Sequence, residues 1–200
     1  MMNIKIKKLS KELISDYIHF FENIAFSDHK EWSYCYCCGF HIDDTEIQRI
    51  HKEKELNGTL EEGLKNEAIS FINENILQGY LVYEKNNVIG WCNCNNKLNY
   101  KRLYTRNELW DENEKNIKIK TIVCFMIAPD MRGKGIASEI LNQICLDAIE
   151  EGFSCIEAYP TKNNGNNFEH YPGPYRLYEK SGFKIHKIFE KDMIVRKYLE

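Results

Sequence analysis

The chain has no long hydrophobic run. Nowhere do some 18 uncharged apolar residues follow one another, which is the length a helix needs to cross a bilayer, so no membrane span is expected. The opening stretch MMNIKIKKLSKELISDY carries lysines but no apolar segment of signal-peptide length behind them, and a cytoplasmic protein is expected. Neither sign of charge dominates. Lys and Arg number 27 against 30 Asp and Glu, a formal charge of −3, which argues against a nucleic-acid partner or an anionic membrane surface. No internal repeat or linker divides the chain, so a single domain over residues 1–200 is expected, and 43% apolar content is ample for its core.

Cysteine, by contrast, is plentiful. Eight cysteines in a short exported chain would suggest disulfides, but this chain is longer, lacks an export signal and places residues such as Cys124 and Cys145 on core positions of a strand and a helix. Reduced thiols are the expectation.

Leu13, Ile14, Tyr17, Ile18 and Phe21 recur at helical spacing, predicting a first helix from about Ser10 to Ala25, with Ser10 or Ser15 as cap. An irregular aromatic and cysteine-rich stretch follows. Asp43 and Asp44 are candidate caps of a second helix to about Leu56, and a third is expected from Thr59 to Leu77, stopped by Gly79. The period then changes: Tyr80–Glu84 and Val88–Cys94 read as a hairpin. Residues 95–118 read as a loop or irregular flap. Ile119–Ile127 is an apolar strand, and Ile136, Ile140, Ile144 and Ala148, flanked by Ala137, Leu141 and Ile149, form the stripe of a helix from Gly135 to Glu151. Cys155–Tyr159 is a short strand before a polar loop. The remainder reads as one short helix in PYRLYEKSGF and a terminal strand pair.

The turn between the Ile119–Ile127 strand and the following helix, Ala128-Pro-Asp-Met-Arg-Gly-Lys-Gly-Ile-Ala137, carries chemistry. Pro129 has no N–H to continue a sheet ladder and marks where the strand leaves its neighbour. Gly133 and Gly135 remove side chains from main-chain N–H groups at a helix N-terminus, and Arg132 and Lys134 add positive charge. Together they suit an anion, phosphate above all. Two better-known phosphate loops are excluded. After Lys134 comes Gly135, so no hydroxyl is placed for magnesium as in Walker A, and G-x-G-x-x-G fails at Ser138.

The same residues carry a resemblance. Arg132, Gly135 and Ala137 fill the pattern Arg or Gln, two residues, Gly, one residue, Gly or Ala, which resembles the acetyl-CoA signature of the GNAT superfamily of N-acetyltransferases. Leu177-Tyr-Glu-Lys-Ser-Gly-Phe183 resembles that superfamily's second signature, a short helix carrying a tyrosine and ending at Gly-Phe. The resemblance spans about residues 79–198. It implies an α/β fold with a mixed, mostly antiparallel central sheet flanked by helices, and transfer of acetyl from acetyl-CoA to a primary amine by direct attack. A non-catalytic acyl-CoA sensor or interaction domain is the alternative.

By the same resemblance the pyrophosphate sits on Arg132, Gly133, Lys134, Gly135, Ile136, Ala137 and Ser138, the backbone of Ile127 pairs with the pantetheine arm, and Tyr178 protonates the leaving thiolate. A phenol remains protonated at neutral pH and can serve so. Relatives commonly have Asn and Ala seven and four residues before the tyrosine. Here Tyr171 and Pro174 stand there, and Tyr175 is a further candidate against the cofactor. Candidate bases are Glu157 first, then Glu31, His41 and His170. The acceptor, a small amine or a peptide N-terminus, would lie against Trp32, Tyr34, Cys35, His41 and Trp91, since GNAT folds place the segment between their first two helices over the acceptor, where aromatic walls suit an apolar or cationic body. The Trp32…Cys35-Tyr36-Cys37 segment is also similar to one in some bacterial members of the superfamily, which implies no particular acceptor. A zinc site built from Cys35, Cys38, Cys92 and Cys94 can be drawn from spacing, but nothing brings the two pairs together, and no metal is expected. Monomer and homodimer both fit.

Overall fold

The computed structural model describes residues 3–33, 35–57, 59–104, 109–160, 171–190 and 193–199. Seven strands form one sheet in the order β1-β2-β3-β4-β5-β7-β6: β1 (Ile4–Lys8), β2 (Gly79–Glu84), β3 (Asn87–Asn96), β4 (Ile119–Ile127), β5 (Cys155–Ala158), β6 (Lys184–Ile188) and β7 (Met193–Tyr198). Only β4 and β5 run parallel. This is the mixed, mostly antiparallel sheet expected, with helices packed against it. Among the described residues no helix is long and apolar enough to cross a membrane.

The helices are α1 (Ile14–Asn23), α2 (Asp44–Asn57), α3 (Leu60–Asn73), α4 (Lys101–Tyr104), α5 (Ile136–Glu150) and α6 (Tyr175–Lys180). Asp43 caps α2, its Oδ1 accepting from the N–H groups of Thr45 and Glu46 at 2.9 Å. Thr59 and Glu62 close a reciprocal capping box on α3. That helix ends four residues short of Leu77. Asn75 takes a left-handed φ of 58° and does the work of a terminating glycine, leaving Gly79 to begin β2. On α5 the stripe Ile136, Ile140, Ile144 and Ala148 is buried, as are Leu141 and Cys145, whereas Ile149 is turned to solvent. Each buried isoleucine contributes about 2 kcal/mol.

Two departures from the sequence reading have plain causes. Strand β1 is absent from the pattern because Ile4 and Ile6 are its only apolar residues, separated by lysine, and it exists as an edge paired to β2; such a strand owes its form to the neighbour's hydrogen bonds rather than to propensity. Within 95–118, the short helix α4 and 3₁₀ turns at Lys97–Asn99 and Glu112–Glu114 interrupt the expected loop.

One feature of the sheet positions everything that follows. Pairing of β4 with β5 runs only from Ile119↔Cys155 to Ile122↔Ala158. Beyond it β5 ends at Tyr159-Pro160, and a proline cannot extend the ladder, while β4 continues five residues to Ile127, paired only to β3 on its other side. The sheet therefore parts there, and Val123–Ile127 presents an edge that no strand of the sheet covers, its Phe125 N–H donating to the Tyr171 carbonyl and its Ile127 carbonyl accepting from Arg132.

Candidate active site

A cleft of about 630 Å³ occupies the opening, a size suited to a small-molecule ligand. Its described lining has three parts. Cys124, Phe125, Met126 and Ile127 of β4 form the floor together with Cys37. The turn and first residues of α5, from Met131 to Ser138, close one end. Phe26, Trp32, Cys35, Gly39, Phe40, Arg102, Tyr171, Gly173, Pro174 and Leu177 make the walls.

The α5 end is built from backbone and two glycines. Gly133 and Gly135 have φ of 75° and 84°, and a Cβ on either would project into open space. Gly135 stands at the N-cap and offers no side chain to the N–H groups of the first turn; the Ser138 N–H donates to the Gly135 carbonyl at 3.0 Å, and the Ile136 and Ala137 N–H groups have no acceptor within their own helix. Arg132 holds two partners: Nε donates to the Ile127 carbonyl at 3.2 Å, and the guanidinium pairs with Asp28. Burial raises the Asp28 pKa, but the hydrogen bond and charge of Arg132 outweigh it and the net direction is down. Lys134 is exposed beside Met131 and does not line the cleft. Arg102 and Arg132 are the charged residues of the described lining, which includes no carboxylate.

The wall beside α6 depends on a glycine. At φ 86° Gly173 lies so close to Leu177, Phe125 and Tyr178 that a Cβ would meet them at 3.3–3.4 Å, and the Tyr171 carbonyl accepts from the Phe125 N–H at 2.6 Å. Tyr178 is fully buried behind this turn, its hydroxyl donating to the Pro172 carbonyl, and burial pushes its pKa well up. It does not line the cleft directly. Tyr175 is half-buried and also off the lining.

Trp32 and Cys35 line the cleft, and Tyr34 and His170 lie outside the described residues. Three other expectations need correction. Glu157 is buried away from the cleft, paired with Lys97 at 2.7 Å and with Arg196, and accepts from Tyr159 at 2.6 Å. His41 is buried rather than on the wall: its Nδ1 meets the Asn99 carbonyl at 3.0 Å, and burial pulls its pKa down to about 4. Trp91 is wholly buried, stacked edge-on against Tyr17 beneath the floor. Glu31 is exposed and paired with His29. All eight cysteines are free thiols, and among the described residues no three His, Cys, Asp or Glu are grouped to hold a metal. The sequence reading missed Phe26, Phe40, Arg102, Cys37 and Cys124 as lining residues. Only the aromatic density around residues 32–41 pointed toward any of them.

Comparison with known proteins places this geometry. An acetyltransferase (GNAT) domain model matches residues 77–185, the span that holds the parted strands, the α5 turn and α6. Solved structures share the fold at low identity. A PaiA N-acetyltransferase from Thermoplasma acidophilum in complex with coenzyme A is 19% identical with a TM-score of 0.53, over 98% of this chain and 99% of that one. An N-acetyltransferase from Staphylococcus aureus Mu50 is 16% identical at 0.53 over 99% of each chain. Arylalkylamine N-acetyltransferase 2 from Aedes aegypti is 13% identical at 0.57 over 99% and 100%. No curated protein matches. With more than half its length matched, including every element that shapes the cleft end at α5, the chain belongs to the GNAT acetyltransferase family.

Proposed function

We propose that this acetyltransferase binds acetyl-CoA in the cleft and transfers the acetyl group by direct attack of a primary amine, carried by a small molecule or a peptide N-terminus. The supporting observation is the parted sheet: a strand edge, Val123–Ile127, that no other strand covers and that runs to a side-chain-free helix N-terminus. In this reading the diphosphate lies on the N–H groups of residues 132–138 with the Arg132 guanidinium beside it, and the pantetheine arm follows β4 past Ile127 and Met126. The thioester then lies near Phe125 and Cys124. The acceptor enters along Trp32, Phe40 and Tyr171. Fixing thioester and amine together converts a bimolecular encounter into a local one and supplies about 7–11 kcal/mol of the barrier at best. Tyr178 serves as proton donor to the departing thiolate by releasing the Pro172 carbonyl, one residue behind the Gly173 wall. A cytoplasmic setting belongs to the same reading and agrees with eight free thiols.

The test is titration calorimetry of acetyl-CoA into wild type and Gly135→Glu, which sets a carboxylate before the first-turn N–H groups. Binding that vanishes in the folded variant supports the reading and justifies screening amines for release of coenzyme A. Absence of binding to wild type sinks it.

A further inference from the structure

Arg102 lines the cleft and is fixed at both backbone and side chain: its N–H donates to the Phe40 carbonyl at 3.1 Å, and its Nε donates to the Ile42 carbonyl at 3.3 Å. Its neighbour Lys101 pairs with Glu46 of α2, so the short helix α4 is tied to residues 40–46 through both side chains. A guanidinium anchored in this way offers its planar fork of N–H donors at a set place.

That place is remote from α5. Tyr100, two residues before Arg102, donates to the Thr121 carbonyl at 3.3 Å, near the start of β4, whereas Arg132 bonds the Ile127 carbonyl at its end. The stretch of strand between those two carbonyls is about 20 Å long. Arg132 therefore serves the diphosphate end, and Arg102 stands with the acceptor. Around it the walls are aromatic: the Phe40 and Tyr171 rings lie 6.4 Å apart, and Phe26 and Trp32 complete the lining on that side.

The charges choose among amines. The described lining carries two arginines and no carboxylate, and Asp28, which pairs with Arg132, is not part of it. A diamine or other acceptor with a second ammonium would bring like charge to like charge between apolar walls that screen poorly. A carboxylate would gain a charge-assisted, two-bond contact instead. We propose that the acceptor is a free amino acid with an apolar or aromatic side chain, its carboxylate held by Arg102 and its amine turned toward the thioester. This rests on the acetyl-CoA reading of the cleft and narrows its acceptor from primary amines at large. The nitrogen forms a C–N bond to the acetyl carbon and the C–S bond breaks. The coenzyme leaves as a thiolate that takes the Tyr178 proton, and the protons shed by the nitrogen go to solvent. Arg102 touches only the carboxylate, which the N-acetyl product retains, so its part is specificity.

The experiment follows coenzyme A release by the full chain from acetyl-CoA with L-phenylalanine, L-leucine and L-methionine, with their carboxamides, and with the corresponding decarboxylated amines, alongside calorimetry of acetyl-CoA. The acids should exceed both uncharged series by about 10- to 100-fold in kcat/KM, the range of a hydrogen-bonded charge pair. Arg102→Gln should abolish that preference through KM more than through kcat, and Arg102→Lys should restore part of it. Heat from acetyl-CoA in each variant verifies that its cleft is formed. Amides or decarboxylated amines used as well as the acids, a preference that survives in Arg102→Gln, or no turnover of any acid by a protein that binds acetyl-CoA overturns the acceptor class and leaves the cofactor reading intact. No binding heat from the folded wild type overturns both.

Discussion

Arg132 is bound to a carboxylate where the proposed function needs it bound to phosphate, and the consequence is measurable. Its guanidinium pairs with Asp28, and both side chains are about a third exposed, at 38% and 33%. Exposed ion pairs contribute about 0.2–1 kcal/mol. If the diphosphate of acetyl-CoA must take Arg132 from Asp28, then Asp28→Asn removes that competition together with one negative charge near the ligand. Acetyl-CoA should bind more tightly by up to about fivefold, since 1.4 kcal/mol corresponds to tenfold. The gain should shrink at high salt, because both effects are screened. Titration calorimetry at two ionic strengths measures it. Arg132→Ala should weaken binding, and in that background Asp28→Asn should give a smaller gain, because the contested guanidinium is gone and only the removed charge still acts. Unchanged or weaker binding in Asp28→Asn, or an equal gain with and without Arg132, would refute the competition.

Three further outcomes follow from buried groups around the cleft. His41, held neutral by burial with a pKa of about 4 against about 6.5 when unfolded, contributes stability that is complete above pH 6.5 and declines as the unfolded chain alone takes up a proton, by up to about 3 kcal/mol toward pH 4. Urea unfolding across that range should show the slope, and His41→Gln, which can keep both hydrogen bonds, should flatten it; equal slopes would exclude His41 as the source. Tyr178→Phe should leave acetyl-CoA affinity within about twofold while lowering turnover by about 100-fold, and unchanged turnover would remove Tyr178 from proton transfer. Gly173→Ala should cost about 1–2 kcal/mol from its left-handed φ of 86° and close contacts, seen as a lower urea midpoint, with a wild-type midpoint counting against strain at this turn.

What could be read in the sequence was whatever is encoded locally. The α5 stripe, the Pro129 break, the glycines of the turn and the caps Asp43 and Thr59 act within a few positions of themselves, and the structure places them as their spacing implies; the first helix departs, because Ser10 precedes a 3₁₀ turn, Ser15 lies inside α1, and neither caps it. The acceptor side behaves otherwise. Trp91 and His41 have the composition of a binding wall but lie beneath it, the Trp91 ring packed on Tyr17 and the His41 Nδ1 held by the Asn99 carbonyl. Phe40 and Arg102 reach the cleft because the Arg102 N–H bonds the Phe40 carbonyl across 62 positions of chain. No period marks a contact of that kind.

Glu157 shows most clearly why a charged residue on the right strand need not be a catalytic one. It lies on β5 directly opposite Thr121, within the last stretch where β4 and β5 pair. A sheet that parts on one side loses ladder hydrogen bonds there, and β5, only four residues long, must be held by other means. Glu157 receives Arg196 from β7, Lys97 from the segment after β3, and Tyr159 from just beyond its own strand. Arg196 in turn reaches Glu114. Isolated, any of these buried charges would be costly, and each is tolerable because its partners are satisfied. With its lone pairs so taken, the carboxylate has no free position from which to accept a proton from an amine. The network instead fastens β5 to β7 just before β5 diverges from β4, so that the opening for the ligand is a fixed feature of the sheet and not a loosened edge.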